Sequence, residues 1–321
     1  MKLSIQPQSF PLANAFTISR GTKTHADVVR VEIEDGGVIG QGECVPYARY
    51  GESVESVSEL IAGLPSKFDR EELQSLLSAG AARNAVDCAL WDLEAKQAGK
   101  PVWQLAGLNE PKQLVTAYTL SLESPEKMHA SALENAHRPL LKLKLGTPDD
   151  LPRLEAVREG APDATIIVDA NEGWSVSDLE VLQAHLERLG VAMIEQPLPE
   201  SDDNALAGYT SSLPLCADES SHTSEGLEHL RERYDFINIK LDKTGGLTQA
   251  LAMKEKALEL GFGLFVGCMV GTSLGMAPAT LVAQGAQFVD LDGPLLLAQD
   301  RANGLRYEGS TIFPPDPKLW G

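Results

Sequence analysis

The stretch Thr165-Ile166-Ile167-Val168-Asp169-Ala170-Asn171-Glu172 decides the fold. A run of β-branched residues followed by a carboxylate reads as a buried parallel strand that ends in a charge. An ionised Asp there is costly unless a metal or a cationic group compensates its desolvation. The same pattern recurs downstream. Gly190-Val191-Ala192-Met193-Ile194 runs into Glu195-Gln196-Pro197. Leu213-Pro214-Leu215-Cys216-Ala217 runs into Asp218-Glu219-Ser220, and Phe236-Ile237-Asn238-Ile239 runs into Lys240. Spacings of 26, 23 and 22 residues separate Asp169, Glu195, Asp218 and Lys240. That period fits one strand, one loop and one helix per repeat. It predicts a β/α barrel with its chemistry at the C-terminal strand ends.

Working outward, Leu140-Leu141-Lys142-Leu143-Lys144-Leu145-Gly146 reads as the preceding strand. Alternation puts Lys142 and Lys144 on one face and the leucines on the other. Leu114-Val115-Thr116-Ala117-Tyr118 reads as the first barrel strand, and Pro125-Glu126 opens a helix. After Lys240, residues 241–246 read as a loop, followed by a helix to about Leu260. A strand over 261–266 leads into the Gly267-Cys268-Met269-Val270 turn. Asp290-Leu291-Asp292-Gly293 closes the barrel.

Upstream, Val28-Val29-Arg30-Val31-Glu32-Ile33-Glu34 alternates apolar and polar, and Asp35-Gly36-Gly37 is a hairpin signal. Residues 19–25 read as a polar loop. Ala82, Ala85, Val86, Ala89, Leu90 and Leu93 recur at helical steps until Gly99 and Pro101. The expected fold is α/β: a modified (β/α)8-type TIM barrel with an N-terminal α+β capping domain. The expected division is 1–110 for the cap, 111–295 for the barrel, and 296–321 for a tail that returns to the cap.

The chain has 321 residues, enough for a barrel of roughly 250 residues plus a small second domain. Its formal net charge of -19 argues against nucleic acid or an anionic membrane as a partner. The charge otherwise speaks for solubility and says nothing of the substrate. The 4 cysteines are widely spaced in apolar contexts, which predicts neither a disulfide framework nor a metal cluster. No secretory leader pattern and no run of about 18 apolar residues is visible. A reducing cytoplasm is the expected home.

Asp169, Glu195 and Asp218 end three successive strands and so converge in a barrel. Each alone reads as a helix N-cap or a loop acid. Together they describe a Mg2+ site with room for water and substrate oxygens. Lys144 precedes these acids and Lys240 follows them, on strands two and six of an eight-membered ring. The bland reading is a pair of surface lysines, but both lie in apolar strand contexts. As functional groups they stand on either face of a substrate held at the metal. One removes the proton beside a chelating carboxylate, and the other returns a proton on the opposite face. The metal and Lys142 stabilise the enediolate between the two steps.

These motifs resemble the muconate-lactonizing subgroup of the enolase superfamily. The matching set is Lys142 and Lys144, Asp169-Ala170-Asn171, Glu195-Gln196-Pro197, Ala217-Asp218-Glu219-Ser220 and Ile239-Lys240, together with the helix residues 85–93. Lysine bases and Mg2+-stabilised enediolates are the known scheme of that superfamily. The resemblance covers nearly the whole chain and implies one Mg2+ per subunit. Within the subgroup the chain looks like a dipeptide epimerase that interconverts L-Ala-D-Glu and L-Ala-L-Glu in murein peptide recycling. The resemblance implies that Asp290 and Asp292 bind the dipeptide ammonium and that Arg20 holds the glutamate γ-carboxylate. It also implies that Thr119, Cys268 and Val270 line the substrate, and that residues 46–52 cap the site. By the same analogy Lys144 serves the L isomer and Lys240 the D isomer.

The competing readings use the same lysines and acids. They are an epimerase for other dipeptide side chains, an N-acylamino acid racemase, an o-succinylbenzoate synthase and a cycloisomerase. Asp290 with Asp292 speaks against an acylated substrate, which carries no ammonium. A catalytically dead binding protein would have lost a base or a ligand, and none is missing. The partner expected is a small dipeptide. The sequence leaves the oligomeric state open, a homo-oligomer included.

Overall fold

A computed structural model describes residues 1–147 and 150–321. The chain opens with a three-stranded antiparallel sheet, Lys2–Ile18, Gly21–Asp35 and Val38–Cys44. Residues 19–25, expected as a loop, are a tight turn at Ser19 and Arg20 followed by strand. Thr17 pairs with Thr22 and Ile18 with Gly21. Neither face of that hairpin tip is buried. It therefore shows none of the apolar alternation by which strands are recognised.

Helices Val54–Ala62, Arg70–Leu76 and Ala81–Ala98 pack on this sheet. Ser53 and Asp69 each form a reciprocal capping box at a helix start. The helix Ala81–Ala98 is buried on nearly every side, because the sheet covers one flank and the barrel the other.

Eight parallel strands follow: Tyr118–Leu120, Leu140–Lys144, Thr165–Asp169, Val191–Glu195, Leu215–Ala217, Phe236–Ile239, Gly263–Val266 and Phe288–Val289. The Ala117 amide donates to the Val289 carbonyl at 2.7 Å and joins the last strand to the first. The first barrel strand begins at Tyr118 rather than at Leu114. Leu114–Val115 pairs instead with Thr311–Ile312 of the C-terminal segment. The apolar pattern runs on unbroken, but the hydrogen-bond partner changes at Thr116.

Full helices follow strands one, two, three, six and seven. Strands four and five are followed only by the short turns Asp203–Leu206 and Leu227–Leu230, so the repeat is less regular than its spacing implies. The stretch after Lys240 is a one-turn helix, Leu241–Thr244, where a loop is expected. No helix among the described residues is long and apolar enough to cross a membrane.

The barrel carries an outer and an inner apolar core. Outward-facing strand residues such as Leu141, Val168, Ile194 and Ile239 pack under the helices. Inside the barrel, Ala117, Leu140, Ile167, Met193, Cys216 and Phe265 form an apolar floor.

Candidate active site

Successive residues of a strand point to opposite faces, so every second residue shares a face. Two positions above every floor residue except Phe265, and above Phe288 that packs against the floor, stands a polar one. Thr119 lies above Ala117, Lys142 and then Lys144 above Leu140, Asp169 above Ile167, and Glu195 above Met193. Asp218 lies above Cys216, and Asp290 above Phe288. Lys144, Asp169 and Glu195 are direct cross-strand neighbours in register. The candidate site is therefore the second layer of the barrel interior.

Buried opposite charges pair closely in this layer. Lys142 Nζ lies 2.6 Å from Glu195 Oε2, 2.9 Å from Asp290 Oδ2 and 3.2 Å from Asp169 Oδ2. Lys144 Nζ is 2.6 Å from Asp169 Oδ2, and Lys240 Nζ is 2.6 Å from Asp218 Oδ2. Burial works against the Lys142 and Lys240 ammoniums. The acids beside them (Asp290 and Glu195 for Lys142, Asp218 for Lys240) outweigh it and hold both well above the ordinary lysine value. Burial likewise opposes the Asp169 and Asp218 carboxylates, and the lysines bring both below the usual range. Glu195 goes the other way. Burial and the neighbouring Asp169 push its carboxyl up to about 8.

Three carboxylates gathered at one point are the donor set that a cation site requires. Asp169, Glu195 and Asp218 each offer an oxygen within 4.8 Å of the others, and all three are buried. Hard oxygen donors beside an open cavity fit Mg2+.

Tight turns above the strands aim donors at the trio. Asn171, Glu172 and Gln196 hold φ of 44°, 67° and 35°, a region uncommon for residues with side chains. The turn sends the Asn171 amide back to Asp169 Oδ1 at 2.9 Å.

A cavity of about 1440 Å³ opens over this layer. On one side the Thr119 amide donates to Asp292 Oδ2 at 2.6 Å, and the Thr119 hydroxyl donates to Asp290 Oδ1 at 3.4 Å. Burial, with Asp290 alongside, pushes Asp292 up to about 7. Cys268 and Val270 also line the cavity. Burial and the two nearby acids keep the Cys268 thiol protonated.

The roof comes from the cap. Arg20 donates to Glu219 Oε1 at 2.7 Å, the Asn171 carbonyl at 2.8 Å, Glu172 Oε2 at 3.1 Å and the Tyr47 hydroxyl at 3.2 Å. Arg49 makes a two-pronged contact with Glu172 at 2.9 and 2.8 Å. Glu219 Oε2 and Asn171 Oδ1 are buried without a hydrogen-bond partner among the described residues, and both residues face the cavity.

Every residue singled out from the sequence thus borders one cavity or its acid trio. Sequence reasoning missed Asn238 and Lys243. Asn238 Nδ2 donates to Glu195 Oε1 at 2.6 Å, and Lys243 Nζ lies 2.6 Å from Asp218 Oδ1. Strand alternation could have found Asn238, two residues before Lys240. Lys243 gave no such signal, because its position depends on the unexpected helix turn.

Comparison with known proteins identifies the family. Residues 1–107 match the family model of the mandelate racemase / muconate lactonizing enzyme N-terminal domain, and residues 127–312 match the enolase C-terminal domain-like model. An L-Ala-D/L-Glu epimerase of Escherichia coli (strain K12) is 46% identical over 306 residues, 94% of this chain and 95% of the relative. An N-acetyl-D-glutamate racemase of a Pseudoalteromonas species is 45% identical over 300 residues, 92% of this chain and 95% of the relative. One solved structure is an enolase family member from Agrobacterium tumefaciens with homology to dipeptide epimerases, with bound sodium and L-Ala-L-Glu. It has a TM-score of 0.95 at 57% identity, covering 99% of both chains. A dipeptide epimerase from Enterococcus faecalis, complexed with Mg and L-Leu-L-Tyr, has a TM-score of 0.90 at 29% identity. That match covers 98% of this chain and 97% of the other.

Proposed function

This chain belongs to the mandelate racemase / muconate lactonizing enzyme family of the enolase superfamily, and on that premise we propose that it epimerises dipeptides by passing an α-proton between two lysines. It is an isomerase. The observation that carries the proposal is the position of Lys144 and Lys240 at the ends of strands two and six, each 2.6 Å from a different acid of the trio.

Asp169, Glu195 and Asp218 would hold Mg2+. An ion there would supply positive charge for a substrate carboxylate, and the acids that hold it would no longer pair with Lys144 and Lys240 alone. One lysine, as the neutral amine, then takes the proton from Cα. The electron pair of the broken C–H bond passes into the carboxylate as an enediolate, and buried Lys142 faces that charge. The other lysine, as the ammonium, delivers a proton to the opposite face and inverts the centre.

The substrate we assign is L-Ala-D-Glu and L-Ala-L-Glu. Asp290 and Asp292 would receive the ammonium, and Arg20 in the roof would receive the γ-carboxylate. Thr119 orients the two acids through its amide and hydroxyl. The names of the relatives support glutamate as the reacting residue, since both act on it. On this reading the enzyme serves murein peptide recycling in the cytoplasm.

A second reading, racemisation of an N-acylated glutamate, draws on the Pseudoalteromonas relative and on Lys142, which already neutralises Asp290. Proton NMR in D2O with Mg2+ separates the two. Loss of the glutamate α-proton of L-Ala-L-Glu, with growth of the L,D diastereomer, is the expected result. Exchange of N-acetylglutamate alone would overturn the dipeptide assignment and establish the second reading.

A further inference from the structure

Each carboxylate of the acid trio has one oxygen already taken by a donor of the protein. The Asn171 amide takes Asp169 Oδ1 at 2.9 Å, Asn238 Nδ2 takes Glu195 Oε1 at 2.6 Å, and Lys243 Nζ takes Asp218 Oδ1 at 2.6 Å. The other oxygens face the cavity lysines: Asp169 Oδ2 meets Lys144, Glu195 Oε2 meets Lys142, and Asp218 Oδ2 meets Lys240.

Lys243 is the charged one of these donors, and all its ammonium protons are engaged. Its side chain is 0% exposed. Its three ammonium protons have three acceptors: Asp218 Oδ1 at 2.6 Å, the Asp218 carbonyl at 2.6 Å and the Asn238 carbonyl at 2.9 Å. The helix turn that carries it is braced from the cap, where Arg83 donates to the Thr244 and Gly245 carbonyls. Gly245 and Gly246 permit that approach. A Cβ on either would fall 2.4 Å from Arg83 Nε or 2.5 Å from Asp87 Cβ, and both φ values are positive.

We propose that Lys243, supported by Asn238, limits the trio to one oxygen per carboxylate and so makes the site select Mg2+ against larger divalent cations. Ca2+ takes six to eight oxygens and accepts two from one carboxylate, whereas Mg2+ demands a small, near-octahedral set. With Oδ1 held, Asp218 cannot offer its second oxygen. Lys243 acts through Asp218 and is a positioning residue. The proposal rests on the metal reading of the trio.

The test is calorimetric titration of chelator-treated protein with Mg2+ and with Ca2+, read as the ratio of the two Kd values. Lys243→Met should lower the preference for Mg2+ at least about tenfold, the scale on which groups behind metal ligands act. Lys243→Gln keeps an N–H donor while losing the charge, and should keep most of the preference. An unchanged ratio in Lys243→Met would overturn the proposal, as would equal loss in both variants, which would point to charge alone. Should Lys243→Met fail to fold, Asn238→Leu decides: a reduced ratio supports the proposal and an unchanged one overturns it. Failure of the unaltered protein to bind either ion would instead overturn the metal reading, and this proposal with it.

Discussion

Lys144 and Arg20 border the same cavity but are held there by different means. Lys144 ends a strand hydrogen-bonded to a neighbour on each side, and the floor residue Leu140 shares its face. Arg20 stands in a turn at the tip of an exposed hairpin, and what fixes it is a set of side-chain and carbonyl contacts to Glu219, Glu172, Asn171 and Tyr47. The backbone ladder therefore fixes the proposed chemistry, and ion pairs fix the proposed choice of substrate. Within such a scaffold the reaction stays constant while the roof can be rebuilt for another side chain.

That contrast orders the effects of substitution. Lys144→Ala and Lys240→Ala should each lower kcat for L-Ala-L-Glu by about 10³, since a positioned acid–base group contributes on that scale. The rate of diastereomer formation by NMR checks this. A loss below tenfold would remove the lysine from the proposed chemistry.

Asp292→Asn should come next, raising KM for a free-amine dipeptide about tenfold or more while leaving an N-acetylated substrate nearly unaffected. The pH dependence has a definite sign. Asp292 is held up to about 7 by burial and by Asp290. Below that pH it gains a proton and loses the charge that would meet an ammonium, so KM should fall as pH rises through about 7. A KM that is flat from pH 5.5 to 8 would argue against this role.

Arg20→Ala should raise KM for Ala-Glu by about tenfold and leave an Ala-dipeptide with an uncharged side chain close to normal. Equal effects on both would take Arg20 out of the specificity role. Arg49→Ala should have the smallest effect, under about threefold on either substrate. Its contacts with Glu172 and Glu200 are part-exposed ion pairs, which are individually weak.

The same contrast explains what was legible in the sequence. The trio and Lys240 could be read because each ends an apolar strand at a repeating interval, Lys142 and Lys144 because they alternate with leucines, and the Asp290–Asp292 pair because its motif resembles that of the family. A buried charge in that context demands a partner. The hairpin around Arg20 reads as a loop because neither of its faces is buried. Thr116, where a strand exchanges one partner for another, leaves no mark in an apolar pattern that continues through it. Lys243 leaves no local signal because tertiary contacts, chiefly the brace from Arg83, set the helix turn that aims it. The contacts of Arg20 with Glu172 and Glu219 span 152 and 199 residues of sequence, and no local pattern records them.

The central claim is that two bases work on opposite faces of one carbon. The most direct measurement is α-proton exchange in D2O for the separate L,L and L,D diastereomers, using Lys144→Ala and Lys240→Ala. Each variant is predicted to exchange the proton of one diastereomer with retention, the two variants having opposite preference, while neither interconverts them. Loss of exchange from both diastereomers in one variant, with normal exchange of both in the other, would contradict the claim and leave a single-base enzyme.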